Sequence, residues 1–296
     1  MAEQVIESLE VFTPLGLRFF DAALQRSITN NLTVNAWPKN GPKKVTTAQR
    51  NRSDVYTFRW LPGMRPVEHR YRDEAFFDAS IPQRRDFVVK VSDSTHRFQP
   101  VAFEVSLPLP DRGVFLDFDF GSPPQYLPRG IPLFSAPTRR SGERMLAVRA
   151  TLLDTVNRRP ASWALVRIDA PHGRIFRGIA DGEGRVAVVF PYPGLEESFT
   201  GSPASLGNGR RLGERGWDIR ISIFYQPSHL VNLHGTTVPE YRTVLNQRLA
   251  TIWSVPANPS SLPVNELNDR LEFGQELVLR TAGLSELQIV PAPASP

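Results

Sequence analysis

Apolar and polar residues alternate over short stretches along most of this chain, the period of strands that are dry on one side. In Trp217-Asp-Ile-Arg-Ile-Ser-Ile-Phe-Tyr225, Trp217, Ile219, Ile221 and Ile223 fall on one face and Asp218, Arg220 and Ser222 on the other. Phe87-Val-Val-Lys-Val91 is an earlier strand of the same kind. The pattern also recurs. Leu17-Arg-Phe-Phe-Asp21, Leu32-Thr-Val-Asn-Ala-Trp-Pro38 and Val55-Tyr-Thr-Phe-Arg-Trp-Leu-Pro-Gly63 are answered by three later segments. These are Val148-Arg-Ala-Thr-Leu-Leu-Asp154, Ala164-Leu-Val-Arg-Ile-Asp-Ala-Pro171 and Val186-Ala-Val-Val-Phe-Pro-Tyr-Pro-Gly194, at offsets of 131 to 133 residues. Each unit reads strand, turn, strand, polar loop, strand, Pro-Gly turn. Asp181-Gly-Glu-Gly184 supplies tight-turn chemistry just before the Val186 strand, and Asn51-Arg-Ser-Asp54 stands at the matching place.

These elements predict an all-β chain of two tandem transthyretin-like or Ig-like β-sandwiches. The expected division is a first sandwich over 1–120, a Pro/Gly-rich linker over 121–144, a second sandwich over 145–235, and a short helix with an extended C-terminal arm over 236–296. The linker assignment rests on Gly121-Ser-Pro-Pro and the prolines that follow, which favour an extended path without a core of its own, with Leu133 and Phe134 docking on a domain. Residues 239–250 are the best helical candidate. In the arm, Trp253 and the alternating Leu271, Phe273, Leu277, Leu279, Leu287 and Ile289 are candidate partner-binding residues, apolar enough to add strands to a neighbouring subunit's sheet. The alternative is that they fold back to complete the second sandwich.

Composition narrows the function classes. With 27 prolines and 20 glycines spread over 296 residues, long helices are excluded. The absence of cysteine removes disulfides, thiolate metal sites and thiol nucleophiles. The net charge of +5 is carried almost wholly by arginine, the lysines being Lys39, Lys43, Lys44 and Lys90, and planar guanidinium donors suit carboxylates and carbonyls at protein interfaces. Basic residues are interleaved with acids and form no run beyond Arg-Arg pairs, which argues against nucleic acid. No signal-like or membrane-spanning apolar stretch is present, so the expectation is a protein made and kept in the cytoplasm without membrane insertion.

No catalytic constellation emerges, and no metal or cofactor is expected. His69 among Glu68, Asp73 and Glu74 lacks a second histidine at metal spacing, and His229 and His234 lack the glutamate of a zinc helix. Gly207-Asn-Gly-Arg-Arg-Leu-Gly213 has the wrong spacing and flanks for a phosphate loop. Asp119-Phe-Gly121 has no kinase partner motifs, and Asp117 and Asp119 read as the wet face of a strand.

From Val148 through the Asp181 turn to Pro193, the second unit resembles the transthyretin-like, carboxypeptidase-regulatory-like β-sandwich. The longer composite is similar to structural subunits of phage-tail-like contractile injection systems of the extracellular and cyanobacterial kind. Its pieces are Leu17-Arg-Phe-Phe-Asp21, Asn51-Arg-Ser-Asp-Val-Tyr-Thr-Phe58, Leu61-Pro-Gly63, Arg97-Phe-Gln-Pro100, Pro132-Leu-Phe-Ser-Ala-Pro-Thr138 and Asp181 through Pro193. That resemblance implies a non-catalytic baseplate, adaptor or cap component, in a homo-oligomeric ring or other multi-copy assembly, whose partners are other particle subunits. The competing expectation is a surface or carbohydrate-binding sandwich.

Overall fold

The computed structural model describes residues 13–64, 84–107, 130–142, 144–192, 216–256 and 261–294. Outside them lie His69 with its neighbouring acids, residues 115–120 with Asp117 and Asp119, and residues 207–213. The first unit holds β1 (Gly16–Leu17), β2 (Phe19–Asp21), β3 (Arg26–Ser27), β4 (Leu32–Pro38), β5 (Thr46–Thr47), β6 (Gln49–Arg50), β7 (Tyr56–Thr57), β8 (Arg85–Asp93), β9 (Val101–Leu107) and β10 (Ile131–Leu133). They form a sheet β5-β4-β8-β9 packed against two shorter ladders, β1-β7-β6 and β10-β2-β3. The second unit holds β11 (Met145–Asp154), β12 (Arg159–Pro160), β13 (Leu165–Ala170), β14 (Arg174–Ile179), β15 (Arg185–Pro191) and β16 (Gly216–Phe224). After a short helix α1 (Tyr241–Leu245) it continues with β17 (Thr251–Ile252), β18 (Glu266–Glu272), β19 (Leu277–Leu279) and β20 (Leu287–Val290).

The strand order recurs as the sequence repeat predicts. The order β5-β4-β8-β9 in the first unit becomes β14-β13-β16-β18 in the second, and β10-β2-β3 becomes β20-β11-β12. The turns recur down to single atoms. Asp21 Oδ1 accepts from the backbone N–H groups of Ala23 and Leu24, and Asp154 Oδ1 from those of Val156 and Asn157, at 2.9–3.2 Å. Each hairpin then closes through a left-handed residue, Gln25 (φ 52°) or Arg158 (φ 51°). Asn51 Oδ1 caps Ser53 and Val55 N–H just as Asp181 Oδ1 caps Glu183 and Arg185 N–H. The second of these turns ends on Gly184 at φ 72°, where a Cβ would lie 2.5 Å from the Leu152 carbonyl oxygen, so a side chain is excluded.

Alternation places the cores. Phe87, Val89 and Val91 of β8 join Phe103, Phe58 and Leu61 in the first core, and Ile219, Ile221 and Ile223 of β16 join Leu152, Val188 and Phe190 in the second. Asp218 and Arg220 face solvent as expected, whereas Ser222, on the same face, is 4% exposed.

Two boundaries differ from the sequence reading. The end of the expected linker is β10, which pairs in parallel with β2, Leu133 opposite Asp21. The expected arm supplies β18 to the edge of the second unit's outer sheet, and β19 and β20, both parallel to β11, with Ile289 opposite Asp154. In each unit the last strand returns beside a strand from the unit's start, β2 in the first and β11 in the second. Such parallel pairing needs a long crossover, which leaves no local signal.

Residues 226–249 do not belong to the second sandwich alone. They cross to the first and clasp it. Leu233 and Val238 pack with Trp37, Val88 and Ala102 on the outer face of its large sheet. The Trp37 indole N–H donates to His234 O at 3.0 Å, and the buried Tyr241 hydroxyl donates to Pro132 O at 2.7 Å. Glu240 forms a parallel bridge with Ala102, covering the free edge of β9.

Candidate interaction surface

Six of the seven arm residues read as partner contacts fall inside this chain. Leu271, Leu279, Leu287 and Ile289 are buried in the second core, and Phe273 and Leu277 pack against it half-buried. Phe273 lies 4.7 Å from the Tyr192 ring, centroid to centroid. These six are therefore intramolecular, and their assignment to a neighbour is corrected. They are apolar because β11 and β16 need covering. Trp253 differs. It is half-buried, its backbone N–H donates to Gln288 O, and its indole Nε1 is buried with no hydrogen-bond partner among the described residues. Among the described residues of this C-terminal region, Val255, Leu262, Val264 and Val278 are the exposed large apolar ones.

The outer face of the β14-β13-β16-β18 sheet is a ladder of charges. Arg167 pairs with Asp169 at 2.8 Å, Arg220 with Glu266 at 3.5 Å and Arg270 with Asp218 at 3.8 Å. Arg167, Asp169, Asp218, Arg220 and Asn268 line a shallow groove of about 600 Å³ there. Exposed pairs of this kind add little stability, but they fix a pattern of sign that a partner can read. The far edge of β18 has no strand partner among the described residues, and its Glu266, Asp269, Arg270 and Glu272 are the kind of charges that keep an open edge from pairing indiscriminately. The equivalent edge in the first unit, β9, is the one that the 226–249 clasp covers.

The titratable groups with shifted pKa serve structure. Burial drives the Asp93 carboxyl up, but hydrogen bonds from Thr95 and Arg97 together outweigh it and hold the group below its ordinary value. Burial raises Glu240, whose carboxylate caps α1 through Thr243 N–H. Among the described residues no group of three or more His, Asp or Glu is arranged to hold a metal ion, and no helix is long and apolar enough to cross a membrane. What sequence reasoning missed is the clasp. Its trace in the sequence is the helical candidate over 239–250, of which Tyr241–Leu245 is helical, while its landing on the first unit has no local signal.

No protein-family model and no curated protein matches this chain. Among solved structures, a double mutant of the shaft pilin SpaA from Lactobacillus rhamnosus GG is 8% identical over 95% of this chain and 98% of its own, with a TM-score of 0.23. An adhesin candidate from Bacteroides ovatus ATCC 8483 is 9% identical over 100% of this chain and 98% of its own, also with a TM-score of 0.23. Likeness at that level leaves the all-β sandwich architecture to stand on the strand order itself.

Proposed function

We propose that this chain is a non-catalytic structural subunit of a phage-tail-like contractile injection particle, assembled in several copies in the cytoplasm as a baseplate, adaptor or cap component. The observation that carries the reading is the clasp. It joins two like sandwiches through buried aromatic and backbone contacts, as suits a part that must keep its shape under load. The sequence composite that resembles injection-particle subunits supports the same reading, and so does the contrast between one covered sheet edge and one open edge, β18. Sheath, tube and spike proteins are the expected partners. Co-expressing a tagged chain with its neighbouring genes tests the proposal. The tag is expected to sediment with intact particles and to label a fixed position in electron micrographs. Particles that form at normal yield without the chain, and never contain it, would overturn the reading.

A further inference from the structure

The outer edge of β18 carries backbone groups that the fold leaves for another strand. Arg270 N–H is turned away from β16 and donates to the adjoining Asp269 Oδ1 at 2.7 Å. Backbone direction alternates along a strand, so Glu266 and Asn268 point outward with Arg270, while Leu267, Asp269 and Leu271 bond inward to Ile221, Ile219 and Trp217. The odd-numbered residues of β16 agree. On the side away from β13, Ile223 O accepts from Ala250 N–H and Tyr225 N–H donates to Arg248 O. Glu266, Asn268 and Arg270 are exposed, and their side chains stand on the charged outer face, opposite the face of buried Leu271. Their present ion pairs, Glu266 with Arg220 and Arg270 with Asp218, are long and solvated, at 3.5 and 3.8 Å, which leaves both charges open to a closer partner.

This edge is complementary to itself. Two copies of β18 can meet antiparallel about a two-fold axis, and both cores stay on one side of the joined sheet only when the axis passes through a residue rather than between two. With the axis at Asn268, Glu266 of each copy lies opposite Arg270 of the other. The row across the joined sheet then reads Asp218, Arg270, Glu266, Ser222, Arg167, with no like charges adjacent. Moving the axis to Asp269 sets Glu266 against Glu272 twice and Asp269 against itself, and moving it to Arg270 sets Arg270 against itself. Like charges directly opposite destabilise a strand pair. We propose that β18 pairs antiparallel with β18 of a second copy of this chain, about a two-fold axis at Asn268, joining two four-stranded sheets into one. Asp269 guards the edge, because its carboxylate has to release Arg270 N–H before that group can bond the second copy. The pairing deepens the multi-copy part of the proposed function and rests on it, but it is measured on the purified chain alone.

Sedimentation velocity makes the test. The wild type is expected to run as a dimer at about 100 μM and to dissociate on dilution. Glu266→Arg and Arg270→Glu each set like charges opposite one another twice, and each variant is expected to be monomeric at that concentration. An equimolar mixture of the two variants restores both opposite-charge contacts and is expected to dimerise again, which also shows that both are folded. Asp269→Ala, which frees Arg270 N–H, is expected to tighten the dimer several-fold. A wild type that stays monomeric at about 100 μM, a dimer in either charge variant alone, or no dimer in the mixture would overturn the proposal, the first by leaving this edge to a different chain. The particle reading fails by another result, particles that never contain the chain, so the two failures are told apart.

Discussion

The buried aspartates among the described residues are turn-formers. Asp154 is fully buried, yet its oxygens accept from Val156 N–H, Asn157 N–H and Asn157 Nδ2 at 2.7–3.0 Å. Asp21 makes the same turn but takes its remaining neutralisation from Arg139, at 2.7 Å. Asp154→Ala strands these donors and should cost about 2–3 kcal/mol in chemical denaturation, while Asp154→Asn, which keeps the Oδ1 acceptor, should cost less. Asp93 adds a pH signature. Its folded pKa is depressed, so its contribution is complete above the ordinary carboxylate pKa of about 3.9 and is lost as pH falls through the lower folded value. The melting temperature of the wild type should therefore drop below about pH 4, and that of Asp93→Asn should drop less steeply over the same window. Identical acid profiles for the two proteins would show that Asp93 is not engaged as described.

At the scale of elements, the C-terminal strands decide whether the second unit exists. Deleting residues 265–296 removes β18, β19 and β20, and with them Leu271, Leu279, Leu287 and Ile289 from the core. Each of these leucines or isoleucines truncated singly to alanine should cost about 2–5 kcal/mol. The whole deletion should leave the second sandwich unfolded and cleaved rapidly in limited proteolysis. A truncated chain that melts like the full-length protein would return these strands to the role of an intermolecular arm. By the same logic Ile131 and Leu133 of β10, both buried, are needed by the first unit, although they lie in a Pro-rich stretch that looks like a connector.

The whole molecule is governed by the clasp. Lys43 Nζ donates to Gly235 O, Tyr241 packs against Phe134 with ring centres 6.4 Å apart, and Gln247 Nε2 donates to Trp163 O at 2.8 Å. These contacts join the cores of the two units, since Leu165 and Ile179 of the second belong to the hydrophobic cluster of the first. The wild type should therefore unfold in one calorimetric transition. Tyr241→Ala should cost about 3–5 kcal/mol and split that transition in two, with the units melting apart. A single transition at an unchanged temperature would mean that the clasp contributes nothing to their coupling.

Residue order alone determined the all-β class, the two-fold repeat and the faces of β8 and β16, because alternation and turn chemistry are local. Asp21 and Asp154, or Asn51 and Asp181, announce their turns through side chains that reach backbone only two to four residues away. Tertiary structure alone decided which strand closes each sandwich, where residues 226–249 come to rest, and that Gln99 Nε2 ends buried without a hydrogen-bond partner among the described residues. The physical reason is the same in all three cases. Parallel pairing of β20 with β11 and the landing of Tyr241 on Pro132 join residues more than a hundred positions apart. An apolar strand carries the same pattern whether its partner lies in its own chain or in another, so Leu287 and Ile289 advertise the need for a partner without saying which.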